Sequence, residues 1–167
     1  KVVVLSRPFS TKKSLKKDSA ECVILGNGPS LSKLVKEHGS FVEGKDVFCV
    51  NYFPVSELYI SSKPGYLIIA APEIWKEDVD ENYIKYSRKL FEAVNEKTKW
   101  PLKLYIPFAA RKNKEWKKPV KEHEFVEIIY YNDTGIEGFK AFNQFLFRNN
   151  LAMPRPHNVL IPSIFLA

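Results

Sequence analysis

A short polar loop, Gly26-Asn27-Gly28-Pro29-Ser30, directly follows an apolar run that ends at Leu25. Glycines allow a backbone to approach a phosphate closely, and Pro29 fixes the turn into the next segment. Ser30 can cap a helix whose free N–H groups and positive dipole end favour an anion. The types and spacing of these residues therefore predict a binding site for a phosphate-bearing ligand.

The loop differs from two well-known phosphate-binding motifs. It is not a Walker loop, because no Gly-Lys-Ser/Thr is present. It is not the complete Gly-x-Gly-x-x-Gly dinucleotide pattern, because position 31 is Leu. The competing interpretation is an ordinary strand-to-helix turn. The Asn27 side chain between the glycines, followed by Pro-Ser-Leu, favours a ligand site.

Two further polar segments come after predicted strands: Asn51-Tyr52 after the second strand and Ala71-Pro72-Glu73 after the third. In open parallel sheets, ligands bind beyond the carboxyl ends of the strands. Neighbouring parallel strands lie ~4.8 Å apart, so Asn27 and Asn51 can present their amides to one small ligand. The alternative is that each asparagine only caps a turn.

The elements that must position these residues alternate between strands and helices. Short apolar runs bounded by glycine or proline predict strands, and longer segments with helical spacing predict helices. The strands are expected at 21–25, 46–50, 66–70, 102–106 and 126–131, and the helices at 30–38, 54–61, 78–96 and 139–147. This order predicts an α/β, Rossmann-like fold, which is a mostly parallel sheet with helices on both faces. Residues 111–122 are expected to form a charged loop.

The length of 167 residues and the hydrophobic content of 45% fit one domain with a real core and argue against disorder. Residues 1–19 are polar and basic and are expected to be an exposed lead-in. Residues 20–167 are expected to form the nucleotide-binding domain. The chain begins with Lys and ends in the apolar run 161–167, where a helix is expected, so we interpret it as a C-terminally truncated fragment of a longer protein.

The net charge of +7 suits an anionic partner such as a nucleotide or a membrane surface. No nucleic-acid motif is present, so no nucleic-acid partner is expected. No apolar run reaches the ~20 residues of a spanning helix, so we expect a soluble protein. Cys22 and Cys49 lie in apolar runs and are expected to be buried in a reducing compartment. We therefore expect the protein in the cytoplasm, with the inner membrane surface as an alternative.

The segment from Gly26 to Leu31, followed by Asp46-Val-Phe-Cys-Val-Asn-Tyr-Phe53, resembles the start of the bacterial sialyltransferases of glycosyltransferase family 42. The match covers roughly residues 20–75, and the last ten residues match loosely. The resemblance implies that Asn27 and Asn51 contact a CMP-activated sugar. It also implies that a later serine touches the nucleotide, and Ser163 is the candidate for it.

Two departures from that family limit what the resemblance implies. The family has an Asn-Pro pair after the third strand, where this chain has Ala71-Pro72. The family's general base is a histidine in a region beyond the end of this chain. None of His38, His123 and His157 matches it. We expect His38 and His123 to be solvated surface residues, while His157 lies near the predicted site.

The leading hypothesis is a metal-independent glycosyltransferase that moves a sialic acid-type sugar from a CMP donor to a glycan acceptor. No cofactor is expected, and the catalytic base is unassigned. A peripheral membrane association and a homo-oligomer are also compatible with the sequence. The nucleotide-sugar-binding residues are expected to be Gly26, Asn27, Gly28, Pro29, Ser30, Asn51, Tyr52, Pro72 and Ser163.

Two other functions remain open. A pterin pyrophosphokinase-like enzyme would use magnesium and ATP, because Gly-x-Gly-Pro-Ser-Leu also occurs there; its metal ligands would be acidic, and Glu73 and Asp78 are the acids near the predicted site. A nucleotide- or glycan-binding module without catalysis is the non-enzymatic alternative. Aromatic residues near strand ends can stack on a ligand or fill the core. Trp75 is a candidate for stacking, whereas Tyr130 and Tyr131 are expected to pack within a strand.

Overall fold

The structure is a computed structural model, and it describes residues 19–31, 33 and 39–167. Of the predicted lead-in, only Ser19 lies within these ranges. His38 and most of the helix predicted at 30–38 also lie outside the described residues, although positions 30, 31 and 33 are helical.

A five-stranded, fully parallel sheet forms the centre of the molecule. Its strands follow one another in chain order, so β1 and β5 are the edges of the sheet within the described residues. The predicted parallel α/β sheet is thereby confirmed, with strand boundaries within two residues of those expected. The strands are β1 (Cys22–Leu25), β2 (Asp46–Val50), β3 (Tyr66–Ile68), β4 (Leu102–Pro107) and β5 (Val126–Tyr131).

Besides the helical positions 30, 31 and 33, four helices and several shorter elements of the described residues connect and cover the strands. The helices are α1 (Leu58–Ser62), α2 (Glu81–Lys97), α3 (Lys140–Arg148) and α4 (Leu160–Leu166). Short 3-10 helices span Gly39–Val42, Phe53–Val55, Pro72–Ile74, Phe108–Lys112 and Glu115–Lys117. A small parallel pair, β6 (Gly135–Ile136) with β7 (Met153–Pro154), was not expected from the sequence. No helix in the described part of the chain is long and apolar enough to cross a bilayer.

The central strands are mostly apolar because both of their faces are buried. Val47 and Cys49 of β2 point into one apolar cluster, and Phe48 and Val50 point into the other. This alternation is the two-residue period of a pleated strand. Strands buried on both faces read as continuous apolar runs, which is why their positions could be predicted.

Helices cover both faces of the sheet, as predicted. Leu90 and Val94 of α2 belong to the cluster on the first face, together with Tyr59 of α1. Leu166 of α4 belongs to the cluster on the second face, with Phe48. Successive right-handed connections place α1 and α2 on the same side of consecutive parallel strands. Among the described residues, the elements that cover the second face follow β5 in the chain.

The segment predicted as a charged loop, 111–122, is better anchored than its charge suggests. Trp116 is 6% exposed and Val120 is fully buried against the first face of the sheet. The indole N–H of Trp116 donates to the carbonyl oxygen of Ala110 at 2.9 Å. Two apolar side chains thus fix a segment whose other residues are mostly charged.

The two cysteines differ in exposure, and the expectation that both are buried is wrong for Cys22. Cys49 lies within β2 and has no exposed surface, whereas Cys22 is exposed. The reason is position: Cys22 begins an edge strand, whereas β2 has a neighbour on each side. The composition of a strand does not reveal which strand lies at the edge.

This difference predicts selective thiol modification. Cys22 should react with a thiol reagent in the native protein, and Cys49 should react only after unfolding, because burial also raises the pKa of the Cys49 thiol. Counting the modified thiols by mass spectrometry, with and without denaturant, measures this. Native modification of both thiols at equal rates would contradict the described sheet order.

Candidate functional site

The carboxyl end of β1 lies between elements that pack on opposite faces of the sheet. Leu31, in the helical segment after the glycine loop, packs against the cluster on the first face. Helix α4 lies on the second face and contacts β1 and β2. In open α/β sheets, ligands bind outside the carboxyl ends of the strands. The predicted loop, residues 26–30, lies at this position.

Asn27 ties the end of β1 to the end of β2. Its Nδ2 donates to the carbonyl oxygen of Val50 at 3.2 Å. The register pairs Leu25 with Cys49, so the side-chain amide continues the β1–β2 pairing one step beyond the strand. The Oδ1 atom of Asn27 makes no hydrogen bond to a described residue, and the side chain is exposed. Asn27 therefore combines a structural bond with an available acceptor.

Asn51 links the end of β2 to β3 and to a residue just beyond it. Its Oδ1 accepts from the backbone N–H of Ala70 at 3.1 Å, and its own N–H donates to the carbonyl oxygen of Ile68 at 2.9 Å. Its φ of 45° is left-handed, a conformation that asparagine tolerates better than most residues. The Nδ2 donors of Asn51 have no partner in the ranges 19–31, 33 and 39–167. Both asparagines thus serve the fold, and each keeps hydrogen-bonding atoms for a ligand.

The two loop glycines are not required by the packing of the protein itself. Neither Gly26 nor Gly28 has a positive φ. Among the atoms of the described residues, a Cβ built on Gly26 would meet none within 4 Å, and one built on Gly28 would meet only the Ser30 hydroxyl at 3.9 Å. The backbone here faces open space. Neither packing nor backbone conformation explains glycine at these two positions, but the close approach of a ligand to the backbone would.

Backbone donors of the glycine loop are also without a partner among the described residues. Among the described residues, the N–H groups of Gly26, Asn27 and Gly28 donate no hydrogen bond, whereas Leu31 donates to the Gly28 carbonyl oxygen at 3.1 Å. Ser30 is already helical, so it lies in the first turn and not at the predicted cap position. Pro29 and Ser30 are both exposed beside these N–H groups. The loop can therefore offer several donors to one anion.

Tyr52 borders a separate apolar pocket next to Asn51. Tyr52, Val55, Tyr83, Tyr86 and Lys89 line this pocket, whose volume is about 480 Å³. The rings of Tyr52 and Tyr86 meet edge to face, with centroids 6.5 Å apart. Burial raises the pKa of Tyr52, and the charges of Glu73 and Tyr83 add to this. The phenol is therefore neutral at ordinary pH and can act as a donor.

Three other candidates do not present ligand-binding groups at this loop. Ser163 is fully buried within α4, and its hydroxyl donates to the Val159 carbonyl oxygen at 2.7 Å. Trp75 is 7% exposed and belongs to the core. Pro72 is exposed at the start of a 3-10 helix that comes after β3. Of these three, Pro72 alone lies on the surface at a strand's carboxyl end.

The described histidines are engaged elsewhere. The Nε2 atom of His123 lies 3.0 Å from the carbonyl oxygen of Asn95, near the end of α2. The Nε2 atom of His157 lies 3.7 Å from a carboxylate oxygen of Glu137, and both side chains are mostly exposed. Neither contacts the glycine loop. Tyr131 is buried, as expected, and its hydroxyl donates to the Ile69 carbonyl oxygen at 3.0 Å.

A larger groove, of about 650 Å³, lies at the opposite edge of the sheet. Lys45, Gly65, Pro101 and Phe125 contribute to it, all next to the amino ends of strands. Parallel sheets bind ligands at the carboxyl edge, so volume alone does not identify the site. No three His, Cys, Asp or Glu side chains of the described residues are grouped as metal ligands.

No family model, curated protein or solved structure matches this chain. The candidate site therefore stands on its own geometry. Its defining features are two strand-end asparagines and a glycine loop with open N–H groups.

A polar turn after β5 was missed by the sequence reasoning, which considered only the carboxyl ends of the first three strands. The Nδ2 atom of Asn132 donates to the carbonyl oxygens of Asn150 and Leu151. The Oδ1 atom of Asn132 accepts from the N–H and the hydroxyl of Thr134. The next residue, Asp133, is exposed, and partial desolvation of its carboxyl raises its pKa. The run Asn-Asp-Thr, which directly follows an apolar strand, is the sequence feature that indicates this polar turn.

The raised pKa of Asp133 predicts a pH-dependent effect of Asp133→Asn on stability. A carboxyl whose pKa is higher in the folded state adds stability below its unfolded pKa, and this is lost as pH rises through the folded pKa. The variant should therefore be slightly more stable than the wild type near neutral pH, since solvent screens most of the effect at an exposed carboxyl. The difference in stability between the variant and the wild type should vanish below about pH 3.9, the pKa of an unperturbed aspartate. Urea midpoints across this range measure it, with Asp78→Asn as the control for loss of one charge; a pH-independent difference would contradict the assignment.

Proposed function

We propose that this chain is the donor-binding part of a glycosyltransferase and holds a CMP-activated sugar beyond the carboxyl ends of β1 and β2. The observation that carries the proposal is the pair Asn27 and Asn51. They end adjacent parallel strands, and each keeps amide atoms without a partner in the described part of the chain. The resemblance of the loop and of Asp46–Phe53 to the sialyltransferases of family 42 supports the choice of donor.

The donor is held through its phosphate and its polar edges. The N–H groups of Gly26, Asn27 and Gly28 donate to phosphate oxygens, which the absence of glycine side chains allows to come close. The Nδ2 atom of Asn51 supplies a further donor, and the Oδ1 atom of Asn27 accepts from a ribose hydroxyl or a base amine. Because both amides are anchored by their other atoms, they are preorganised for binding.

The acceptor glycan binds in the aromatic pocket beside Asn51. Tyrosines combine an apolar ring with a polar tip and suit the alternating character of a sugar. Tyr83 and Tyr86 are 48% and 58% exposed, so their rings are accessible. The amine of Lys89 lies 5.9 Å from the centroid of the Tyr86 ring and favours an anionic sugar. Transfer also needs a base that removes the acceptor hydroxyl proton, and no described residue is assigned this role.

A thermal-shift panel tests the donor. CMP, CDP, UDP, ADP and GDP are each added with and without Mg²⁺. CMP and CDP should stabilise the protein without metal, by about 2.7 kcal/mol at 100 times the dissociation constant. For a chain of this size, each kcal/mol of added stability raises the melting temperature by roughly 2–4 °C. Stabilisation only by adenine nucleotides with Mg²⁺ would instead support the pyrophosphokinase-like alternative.

Asn51→Asp separates binding from folding at the central residue. Aspartate keeps the acceptor for the Ala70 N–H and tolerates the left-handed backbone, so the melting temperature should change little. It replaces the free Nδ2 donors by a negative oxygen that repels a phosphate, so nucleotide affinity should fall about tenfold or more. Calorimetric titration with CMP measures the affinity.

Two comparisons sharpen this test. Asn51→Ala removes the structural bond and adds backbone strain, so its stability should fall by about 2 kcal/mol. Asn27→Ala should weaken both stability and affinity, since its amide serves both roles. Wild-type affinity in Asn51→Asp would mean that Asn51 has only its structural role.

A further inference from the structure

Helix α3 exposes an unusual amount of aromatic surface. Phe142 and Phe145 are 52% and 58% exposed, and Phe139, which precedes the first turn, is 87% exposed. Single exposed apolar residues are common on proteins, but three phenylalanines on one short segment are not. Their spacing of three residues places neighbouring rings on the same side of the helix. We call these three residues the phenylalanine face.

The helix is held to the body of the protein by Leu146 and Phe147, near its C-terminal end. Leu146 is fully buried, and the ring of Phe147 packs edge to face against Phe165 of α4 at 5.9 Å. The N–H of Leu151 donates to the Leu146 carbonyl oxygen at 2.9 Å and closes the end of the helix. The phenylalanine face is therefore presented outward by a fixed helix.

The charged residues of helix α3 itself are all positive. Helix α3 contains Lys140 and Arg148 and no acidic residue. Neither cation forms an ion pair with another described residue, whereas Arg155 lies 3.9 Å from Glu137. A surface that receives this face must accept both aromatic rings and positive charge.

We propose that α3 docks the protein on an anionic lipid surface, with the phenylalanine face inserted among the headgroups. Aromatic rings partition into the bilayer interface, and flanking cations are attracted by anionic lipids. The charges argue against a second copy of this chain as the occupant. A two-fold contact through the same face would bring two copies of Lys140 and Arg148 together, without acidic partners on α3. Such docking does not depend on the proposed function.

Vesicle co-sedimentation tests the proposal with the full chain. The probes are vesicles of phosphatidylcholine alone and of phosphatidylcholine mixed with phosphatidylglycerol. The protein should bind the mixed vesicles, more weakly at high salt, and should bind the neutral vesicles much less. Phe142→Ser/Phe145→Ser should lose about tenfold in binding. Lys140→Ala and Arg148→Ala should each lose roughly fivefold.

A control variant separates docking from general surface apolarity. Ile60→Ser removes an apolar side chain that is 51% exposed on α1, and it should bind vesicles like the wild type. All the changed residues lie on the surface, so melting temperatures should stay close to the wild-type value. Wild-type vesicle binding by the double phenylalanine variant would overturn the proposal. So would a concentration-dependent dimer in light scattering that the same variant abolishes.

Discussion

Replacing both loop glycines, in the variant Gly26→Ala/Gly28→Ala, should abolish most nucleotide binding while leaving the protein at least as stable as the wild type. The added methyl groups meet no atom closer than 3.9 Å, and neither position has a positive φ. Alanine at such a position usually stabilises by about 0.4–1 kcal/mol, because it restricts the unfolded chain. The same methyl groups would project into the space through which a phosphate approaches the backbone.

The matched control for this variant is Gly65→Ala. Gly65 also has open space around its Cβ position and no positive φ, but it lies at the amino edge of the sheet. It should keep its nucleotide affinity. A calorimetric titration of both variants, with urea unfolding in parallel, gives both quantities. Unchanged affinity in the loop variant would remove the reason for assigning these glycines to a ligand.

Leu67→Ala should cause the largest loss of stability of all these variants. Leu67 has no exposed surface, and it lies at the centre of β3, the middle strand of the sheet. Truncating a buried leucine costs about 2–5 kcal/mol, since apolar surface is lost and a cavity remains. Ile60→Ala, at a residue 51% exposed, should cost no more than about 0.5 kcal/mol. Urea unfolding measures both, and equal losses would contradict the described core.

The strands could be predicted because both of their faces are buried. A strand such as β2 has no polar face to interrupt its apolar run, and turn residues mark its end at Asn51. The helices α2 and α3 could be predicted for a related reason, since their apolar residues recur with the helical period. The pair β6 and β7 has two residues in each strand, which is too short to leave a pattern.

Features that depend on tertiary position could not be predicted. The exposure of Cys22 follows from the place of β1 at the edge, and the burial of Ser163 follows from the packing of α4. Sequence reasoning placed Asn27 and Asn51 at adjacent strand ends. It could not show that each would bond to the backbone of the next strand. An asparagine can stabilise the fold and also bind a ligand, because its amide has several hydrogen-bonding atoms.

The central claim is that a cytidine nucleotide binds at the carboxyl edge of β1 and β2, and a titration followed by ¹⁵N–¹H correlation NMR tests it most directly. Adding CMP without metal should shift the backbone signals of Gly26, Asn27 and Gly28 and the side-chain Nδ2 signals of Asn51. Signals from the groove at the amino edge, such as that of Lys45, should stay in place. Shifts confined to that groove, or none at all at saturating CMP, would contradict the account.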